Sequence, residues 1–166
     1  AEEFKTIFFP CPFFENQPRR DLTKWIPSIS EEEKGYFRIA IAHGSISDYG
    51  SRDIPSAPID IDDLLKKDLD YIALGDQHGL KTGKTQDFDQ NAPLPTKSNR
   101  IWYPGTPEQC KISEINTGNI LEVTLEKPSD EPKVKIIPVN NLHWFREAID
   151  LNPYVIEGNM EFSYDS

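Results

Sequence analysis

The chain has 166 residues, 37% of them apolar, and a formal net charge of −10 at pH 7. This length suits one domain with a substantial core, and no apolar run approaches the ~20 residues of a membrane helix, so we expect no membrane partner. The acidic balance argues against a general nucleic-acid coat, which binds phosphates through Lys and Arg. The acidic balance does not exclude a nuclease, because bound divalent cations dominate the charge at nuclease active sites.

The two cysteines and the first residues indicate the cellular compartment of the protein. Cys11 and Cys110 form neither a disulfide framework nor a CxxC metal pair. We predict that both are small, buried side chains in a reducing compartment. The first residues, "AEEFKTIFFP", lack the positive n-region and cleavage site of a signal peptide. A cytoplasmic location is therefore expected.

Strand and helix patterns alternate in the first half of the chain. "FKTIFFPCPFF" predicts a buried strand that ends at the prolines, and "YFRIAIAHGS" predicts an alternating strand that closes on His43. "SISDYGSRDIPSAP" is interpreted as a loop. "DIDDLLKKDL" then predicts a helix with Asp60 as N-cap and Ile61, Leu64 and Leu65 on one face. "YIAL" is nearly all apolar, which is typical of a strand buried on both faces.

Strand, helix and strand in this order form a βαβ unit, whose two strands should be parallel. His43 follows the carboxyl end of the first strand, and Asp76 and His78 in "GDQHG" follow that of the second. Open α/β folds bind their ligands at this edge of the sheet. The topology therefore predicts that two of the three histidines of the chain lie close together.

The second half of the chain has a different pattern. "KTGKTQDFDQNAPLPTKSN" reads as a long loop, and "RIWYPGTPEQ" as a strand with a Pro-Gly turn. "NILEVTLEKPSDEPKVKIIPVN" alternates apolar and polar residues on either side of a turn and predicts an antiparallel hairpin. In the tail, only a short helix around Phe145 to Ile149 is predicted.

His43, Asp76 and His78 are suitable ligands for Zn, Mn or Fe. In the functional interpretation they hold a metal that polarises a phosphoryl oxygen and generates hydroxide at neutral pH. In the structural interpretation the histidines cap turns and the carboxylate accepts backbone N–H bonds. The third histidine, His143, has no such companion and is interpreted as structural.

Two further features near these residues have the same two interpretations. Gly105 and Thr106 offer backbone and a hydroxyl to a phosphate, or they form an ordinary turn. The loop after "GDQHG" is locally basic, which suits an anionic substrate or a solvated loop. Its cations are Lys81, Lys84, Lys97 and Arg100.

The segments "AHG", "DYIALGDQHG" and "IWYPGTPEQ", in this order, resemble the second half of a calcineurin-like metallophosphoesterase. The nearest pattern is that of SbcD-like DNA repair exonucleases, with strand-HG, DY-x-ALGH-x-H and YPG[ST]-P. "SEINTGNILEVTLE" resembles the Glu-x-x-x-Gly segment and closing hairpin that follow in that family. The resemblance covers roughly residues 4 to 140.

The resemblance implies a fold and a set of ligands. The fold is α/β, a portion of a β-sandwich flanked by helices, with a βαβ unit followed by antiparallel hairpins. His43 and His78 would be catalytic metal ligands, and Asp76 stands where the family has a histidine. Gly105 matches a glycine that lets the backbone turn close to the site. Residues 1–140 would be the carboxyl-terminal half of the domain, and 141–166 a tail or the start of a capping segment.

The resemblance also implies a reaction, from which this chain departs. The family cleaves phosphodiesters with a hydroxide activated by two metals, Mn being favoured here over Zn or Fe, and has a partner ATPase subunit. In the family, the D-x-H, G-D and G-N-H-[DE] motifs lie upstream of the strand that "FKTIFFPCPFF" resembles, and they are missing from this sequence. "GDQHG" is not taken as the D-x-H motif, because no G-N-H-[DE] follows it. We therefore expect at most one weakly held metal and little activity from the chain alone, with a dinuclear site only if an amino-terminal half supplies the remaining ligands.

Three functions remain open at this point. The first is a DNA exonuclease-type phosphodiesterase, and the second is a phosphatase or small-nucleotide phosphodiesterase, which the acidity favours. The third is a non-catalytic binding or assembly module built on the same fold. Metal binding that depends on both His43 and His78 would separate the enzymes from the module.

Overall fold

A five-stranded sheet organises the part of the chain that the structure describes. The computed structural model describes residues 5–14, 20–46, 57–82, 99–142, 144, 155–156 and 159–160. From one edge of the sheet to the other, its strands are β1 (Thr6–Cys11), β2 (Phe37–His43), β5 (Tyr71–Gly75), β7 (Ile101–Tyr103) and β6 (Lys81–Thr82). Strands β1, β2, β5 and β7 are parallel, and β6 runs antiparallel to β7.

The remaining elements lie outside this sheet. They are β3 (Ser45–Ile46), β4 (Pro58–Ile59), α1 (Ile61–Leu65), β8 (Asn119–Thr124), β9 (Lys133–Pro138), β10 (Val155–Ile156), β11 (Asn159–Met160) and a 3₁₀ turn at Glu31–Glu33. Strands β3 and β4 pair in parallel, whereas β8–β9 and β10–β11 are antiparallel pairs. The predicted α/β class is confirmed in its coarse form, a mixed fold made mostly of strands. The described residues contain no helix that is long and apolar enough to cross a membrane.

The predicted βαβ unit is present as β2, α1 and β5. Strands β2 and β5 are neighbours, with a register that runs from Ile39 opposite Tyr71 to His43 opposite Gly75. The Asp60 side chain caps the helix by accepting a hydrogen bond from the Asp63 N–H, as its position at the first turn predicts. The unit therefore brings the ends of β2 and β5 to one edge of the sheet.

The two faces of the sheet pack against different parts of the chain. One face, with Leu64 of α1, builds the larger core cluster, and the other face packs on the β8–β9 hairpin. Because successive side chains of a strand point to opposite faces, Ile72 and Leu74 belong to the first cluster and Tyr71 to the second. Both faces of β5 are thus covered, which confirms the prediction for "YIAL".

Several sequence predictions need correction. Cys11 is buried but Cys110 is exposed, because it lies in the turn region after β7 rather than in a strand. Strand β1 is buried on one face only, since Phe8 is 58% exposed. The segments predicted to be loops contain β3, the first residue of β4, and β6. Strands β3 and β4 pair with each other, and β6 pairs with β7.

Other predictions fall outside the described residues. These are the structural role of His143, the helix around Phe145 to Ile149, and the basic contributions of Lys84 and Lys97. The flanking helices of the predicted β-sandwich are represented, among the described residues, by α1 and the 3₁₀ turn alone.

Candidate metal site

The ends of β2 and β5 place His43 next to Asp76. His43 is the last residue of β2 and lies opposite Gly75, the last residue of β5, and the Gly44 N–H donates to the Gly75 carbonyl at 3.1 Å. The His43 Nε2 atom is 3.7 Å from Asp76 Oδ1. The parallel register therefore produces the juxtaposition that the strand-end argument predicts.

A buried tyrosine holds the turn that carries His43. The Tyr103 hydroxyl donates to the Gly44 carbonyl at 2.8 Å and accepts from the Ile46 N–H at 3.2 Å. Tyr103 is fully buried at the end of β7, so the hydroxyl has a fixed position. Gly44 is required here because a Cβ would clash with the Ala57 carbonyl oxygen. The backbone that follows His43 is thereby held from two sides.

The His43 imidazole is itself in contact with its neighbours. Its ring centroid is 5.8 Å from that of Phe13, and a Cβ on Gly75 would lie 3.0 Å from Nδ1. The side chain is nevertheless 52% exposed. His43 is therefore oriented by packing yet accessible to a ligand.

Asp76 has a strained backbone and a hydrogen-bonded carboxylate. Its φ angle is +109°, a region that a residue with a Cβ rarely adopts and that is enriched at functional sites. Ser45 Oγ donates to Asp76 Oδ2, and Gln77 Nε2 donates to Ser45 Oγ at 2.6 Å. Lys81 Nζ donates in turn to Gln77 Oε1 at 3.0 Å. The network leaves Oδ1 as the Asp76 oxygen nearest to His43.

His78 pairs with a glutamate from a distant part of the chain. Its Nδ1 lies 2.5 Å from Glu114 Oε1, and Glu114 Oε2 accepts from the N–H groups of Cys110 and Lys111 at 2.8 and 3.1 Å. The hydrogen bond with His78 is the main reason why the pKa of Glu114 is lowered, and the two backbone N–H groups act in the same direction. A carboxylate at Nδ1 is the usual way to orient a metal-binding histidine, because it leaves Nε2 for a ligand.

Gly105 and Thr106 hold the turn that contains His78. The Thr106 N–H donates to the His78 carbonyl at 2.8 Å, and Oγ1 lies 3.4 Å from the same oxygen. Gly105 has φ +80°, and a Cβ there would come within 2.6 Å of that carbonyl. These contacts fit the turn interpretation of the two residues. Their proximity to a phosphate stays a prediction.

Histidine and aspartate side chains are suitable metal ligands, but too few of them lie together here to form a complete site. Two ligands at ~2.0–2.2 Å from one tetrahedral ion lie somewhat over 3 Å apart, so a small rotation of His43 or Asp76 suffices for shared coordination. Within the ranges that the structure describes, no group of three or more His, Cys, Asp or Glu side chains is placed to hold a metal. His78 is paired with Glu114 and does not complete such a group. The metal-ligand roles of His43, Asp76 and His78 therefore stay predictions.

The comparisons with known proteins add no relative. No family model matches the chain, and neither the curated proteins nor the solved structures gave a significant match.

Sequence reasoning did not identify Ser45, Gln77, Tyr103 or Glu114 as parts of this region. Ser45 and Gln77 are the immediate neighbours of the residues singled out in "AHGS" and "GDQHG", so a signal was present. Glu114 opens the Glu-x-x-x-Gly segment, but its pairing with His78 joins residues 36 positions apart. Such a contact depends on the tertiary fold.

The His78–Glu114 pair predicts a pH-dependent contribution to stability. Because the folded-state pKa of Glu114 lies below its ordinary value of 4.5, the contribution is present above pH 4.5 and is lost as the pH falls through the lowered pKa. In His78→Ala the pKa of Glu114 should rise toward the ordinary value. Carbon-detected NMR titration of the glutamate carboxyls measures this shift, and an unchanged Glu114 pKa in the variant would contradict the assigned cause.

Proposed function

We propose that this protein is a metal-dependent phosphoester hydrolase, of the phosphodiesterase type that acts on DNA. The observation that carries the proposal is the His43–Asp76 pair at the ends of two adjacent parallel strands, 3.7 Å apart. Carboxyl edges of parallel sheets are where α/β folds bind their ligands. The sequence resemblance to metallophosphoesterases supplies the reaction class, and DNA as substrate and a partner ATPase rest on the resemblance alone.

The proposed roles follow from the contacts of each residue. His43 and Asp76 would bind the divalent ion, Mn in the first instance and Zn or Fe as alternatives, and Ser45 and Gln77 would fix the carboxylate. His78, anchored on Glu114, would keep Nε2 available to the ion or to a phosphoryl oxygen. The bound ion would supply Lewis-acid activation of the phosphoester and of water.

The same contacts favour a second candidate, a non-catalytic binding or assembly module. Asp76 Oδ2 is already engaged by Ser45, and His78 Nδ1 by Glu114. A network that satisfies its own polar groups also stabilises turns without any metal. A measurement of metal binding distinguishes the two candidates.

Metal binding should depend on both members of the pair. We expect Mn²⁺, followed by the EPR signal of the free ion, to bind weakly and saturably, and Asp76→Asn and His43→Gln each to weaken binding by at least about tenfold. The matched control is Asp130→Asn, at an exposed carboxylate elsewhere on the surface. Equal Mn²⁺ binding by all four proteins would overturn the proposal and favour the non-catalytic module.

Catalysis by this chain alone should be very slow. The described residues bring two predicted metal ligands together, whereas catalytic zinc sites use three protein ligands and two-metal sites use more. With added Mn²⁺, hydrolysis of bis(p-nitrophenyl) phosphate should not exceed that of the His78→Ala variant. Turnover clearly above this control would show that the site is more complete than we infer.

A further inference from the structure

A cleft beside the candidate metal site has its own set of chemical groups. It lies at the end of β1 and has a volume of about 810 Å³, within the ~300–1,000 Å³ of small-molecule sites. Its walls include Phe14, Arg20, Lys24 and Trp25, and its floor includes the buried Cys11. Cys11 pairs with Ala42 in the β1–β2 register, so the cleft opens at the same edge of the sheet as His43.

The carboxylates of the cleft accept hydrogen bonds from backbone N–H groups and from a hydroxyl. Asp21 Oδ1 accepts from the N–H and the hydroxyl of Thr23 at 2.8 and 2.6 Å, and Asp21 Oδ2 accepts from the Asp60 N–H at 3.0 Å. Asp60 Oδ1 accepts from the Asp63 N–H at 3.1 Å as the cap of α1. Both carboxylates thus have structural roles that explain their presence in the wall.

The basic residues of the cleft have no such explanation. Arg20 and Lys24 are exposed, and neither forms a hydrogen bond or an ion pair with the described residues. Arg20 and Lys24 have no carboxylate partner among the described residues, so both are available to an anion, whereas the carboxylates of Asp21 and Asp60 in the same lining already accept hydrogen bonds.

Two aromatic rings line the same cleft with much of their surface in solvent. Trp25 is 56% exposed and Phe14 is 60% exposed. The Trp25 ring is held in place, because it packs on the buried Phe9 with ring centroids 5.9 Å apart. An ordered, half-exposed indole is a stacking surface for a planar aromatic group.

We propose that this cleft binds a nucleoside monophosphate, with the base on Trp25 and Phe14 and the phosphate at Arg20 and Lys24. A nucleoside monophosphate combines a planar base, which suits the two exposed rings of the cleft, with an anionic phosphate, which suits its two exposed cations. The proposal does not depend on the proposed function, since no residue of the cleft is one of the predicted metal ligands. It adds a nucleotide site one strand away from His43.

The test is calorimetric titration of the whole chain with AMP, adenosine and inorganic phosphate in the presence of EDTA, so that metal binding plays no part. We expect saturable binding of AMP, with adenosine and phosphate each at least about tenfold weaker because each has only half of the contacts. Binding of AMP should also weaken as salt is raised, since the phosphate contacts are exposed. Phosphate binding as tight as that of AMP, or no AMP binding, would overturn the proposal.

Variants assign the binding to this cleft. Arg20→Gln combined with Lys24→Gln should reduce AMP affinity about tenfold, to that of adenosine, without affecting the fold, because both side chains are exposed. Trp25→Leu should reduce AMP and adenosine affinity alike. The controls are Lys127→Gln and Trp144→Leu, exposed residues that do not line the cleft. AMP binding that survives the double variant, or is lost in the controls, would contradict the assignment.

Discussion

Replacing Arg38 by Ala should lower the free energy of unfolding by about 3–5 kcal/mol, the usual loss when one partner of a buried charged network is removed. Arg38 lies in β2, and its side chain is fully buried. Urea unfolding followed by circular dichroism measures the change, with an unaltered slope as the sign that only stability has changed.

The expected size of this effect comes from the contacts of the guanidinium. Its Nη2 donates to the Pro27 carbonyl at 2.6 Å and Nη1 donates to the Lys67 carbonyl, while Nε lies 3.4 Å from Glu33. The group also stacks on Phe9, 4.9 Å from the ring centroid. Alanine would leave these carbonyls without their donors and a cavity beneath β2.

The matched control for Arg38 is Lys34→Ala. Lys34 forms an ion pair with Glu31, but both side chains are exposed, and such pairs contribute about 0–1 kcal/mol. A loss of stability in Arg38→Ala no greater than that in Lys34→Ala would mean that the buried contacts of Arg38 do not hold in solution.

Replacing Trp102 by Ala should cost about 3–5 kcal/mol and should loosen the β8–β9 hairpin. Trp102 is fully buried, and its indole N–H donates to the Asn99 carbonyl at 2.8 Å. With Tyr71 and Leu80 it forms the cluster on which the hairpin packs. Partly buried hairpin residues pack against this cluster: Leu121, Val123, Leu125, Val134 and Ile136.

Hydrogen exchange resolves where the Trp102→Ala variant is weakened. The amides of β8 and β9 should lose protection more than those of β1 and β2, because the hairpin covers only the face of the sheet that carries Trp102. Trp144→Ala is the control, since that indole is 53% exposed and donates one hydrogen bond to Gln109. Equal loss of protection across all strands would contradict separate packing of the two faces.

The periodic parts of this fold were predictable from the sequence. Alternation identified β2 and the hairpin, and the Asp60 cap with Leu64 identified α1, because these signals depend on residues close in the chain. Arg38 could not be predicted, since a charged residue in an alternating strand indicates solvent. Its burial depends on carbonyls of Pro27 and Lys67 that only the folded chain brings together.

The candidate site also contains one contact that could be predicted from the sequence and one that could not. The approach of His43 to Asp76 follows from two strand ends and a parallel crossover, both of which are readable from patterns. The pairing of His78 with Glu114 does not, because it requires the segment after β7 to return to the "GDQHG" turn. The exposure of Cys110 could not be predicted for the same reason. Cys110 belongs to that returning segment, where its N–H donates to Glu114.

The most direct measurement is a crystal structure of the protein soaked with Mn²⁺, with the ion located by its anomalous scattering. The proposal predicts a peak between His43 Nε2 and Asp76 Oδ1, within about 2.0–2.3 Å of both atoms. It also predicts the loss of that peak in crystals of Asp76→Asn. An ion bound only elsewhere, or no ion at Mn²⁺ concentrations that saturate binding in solution, would contradict a metal-dependent hydrolase at this edge of the sheet.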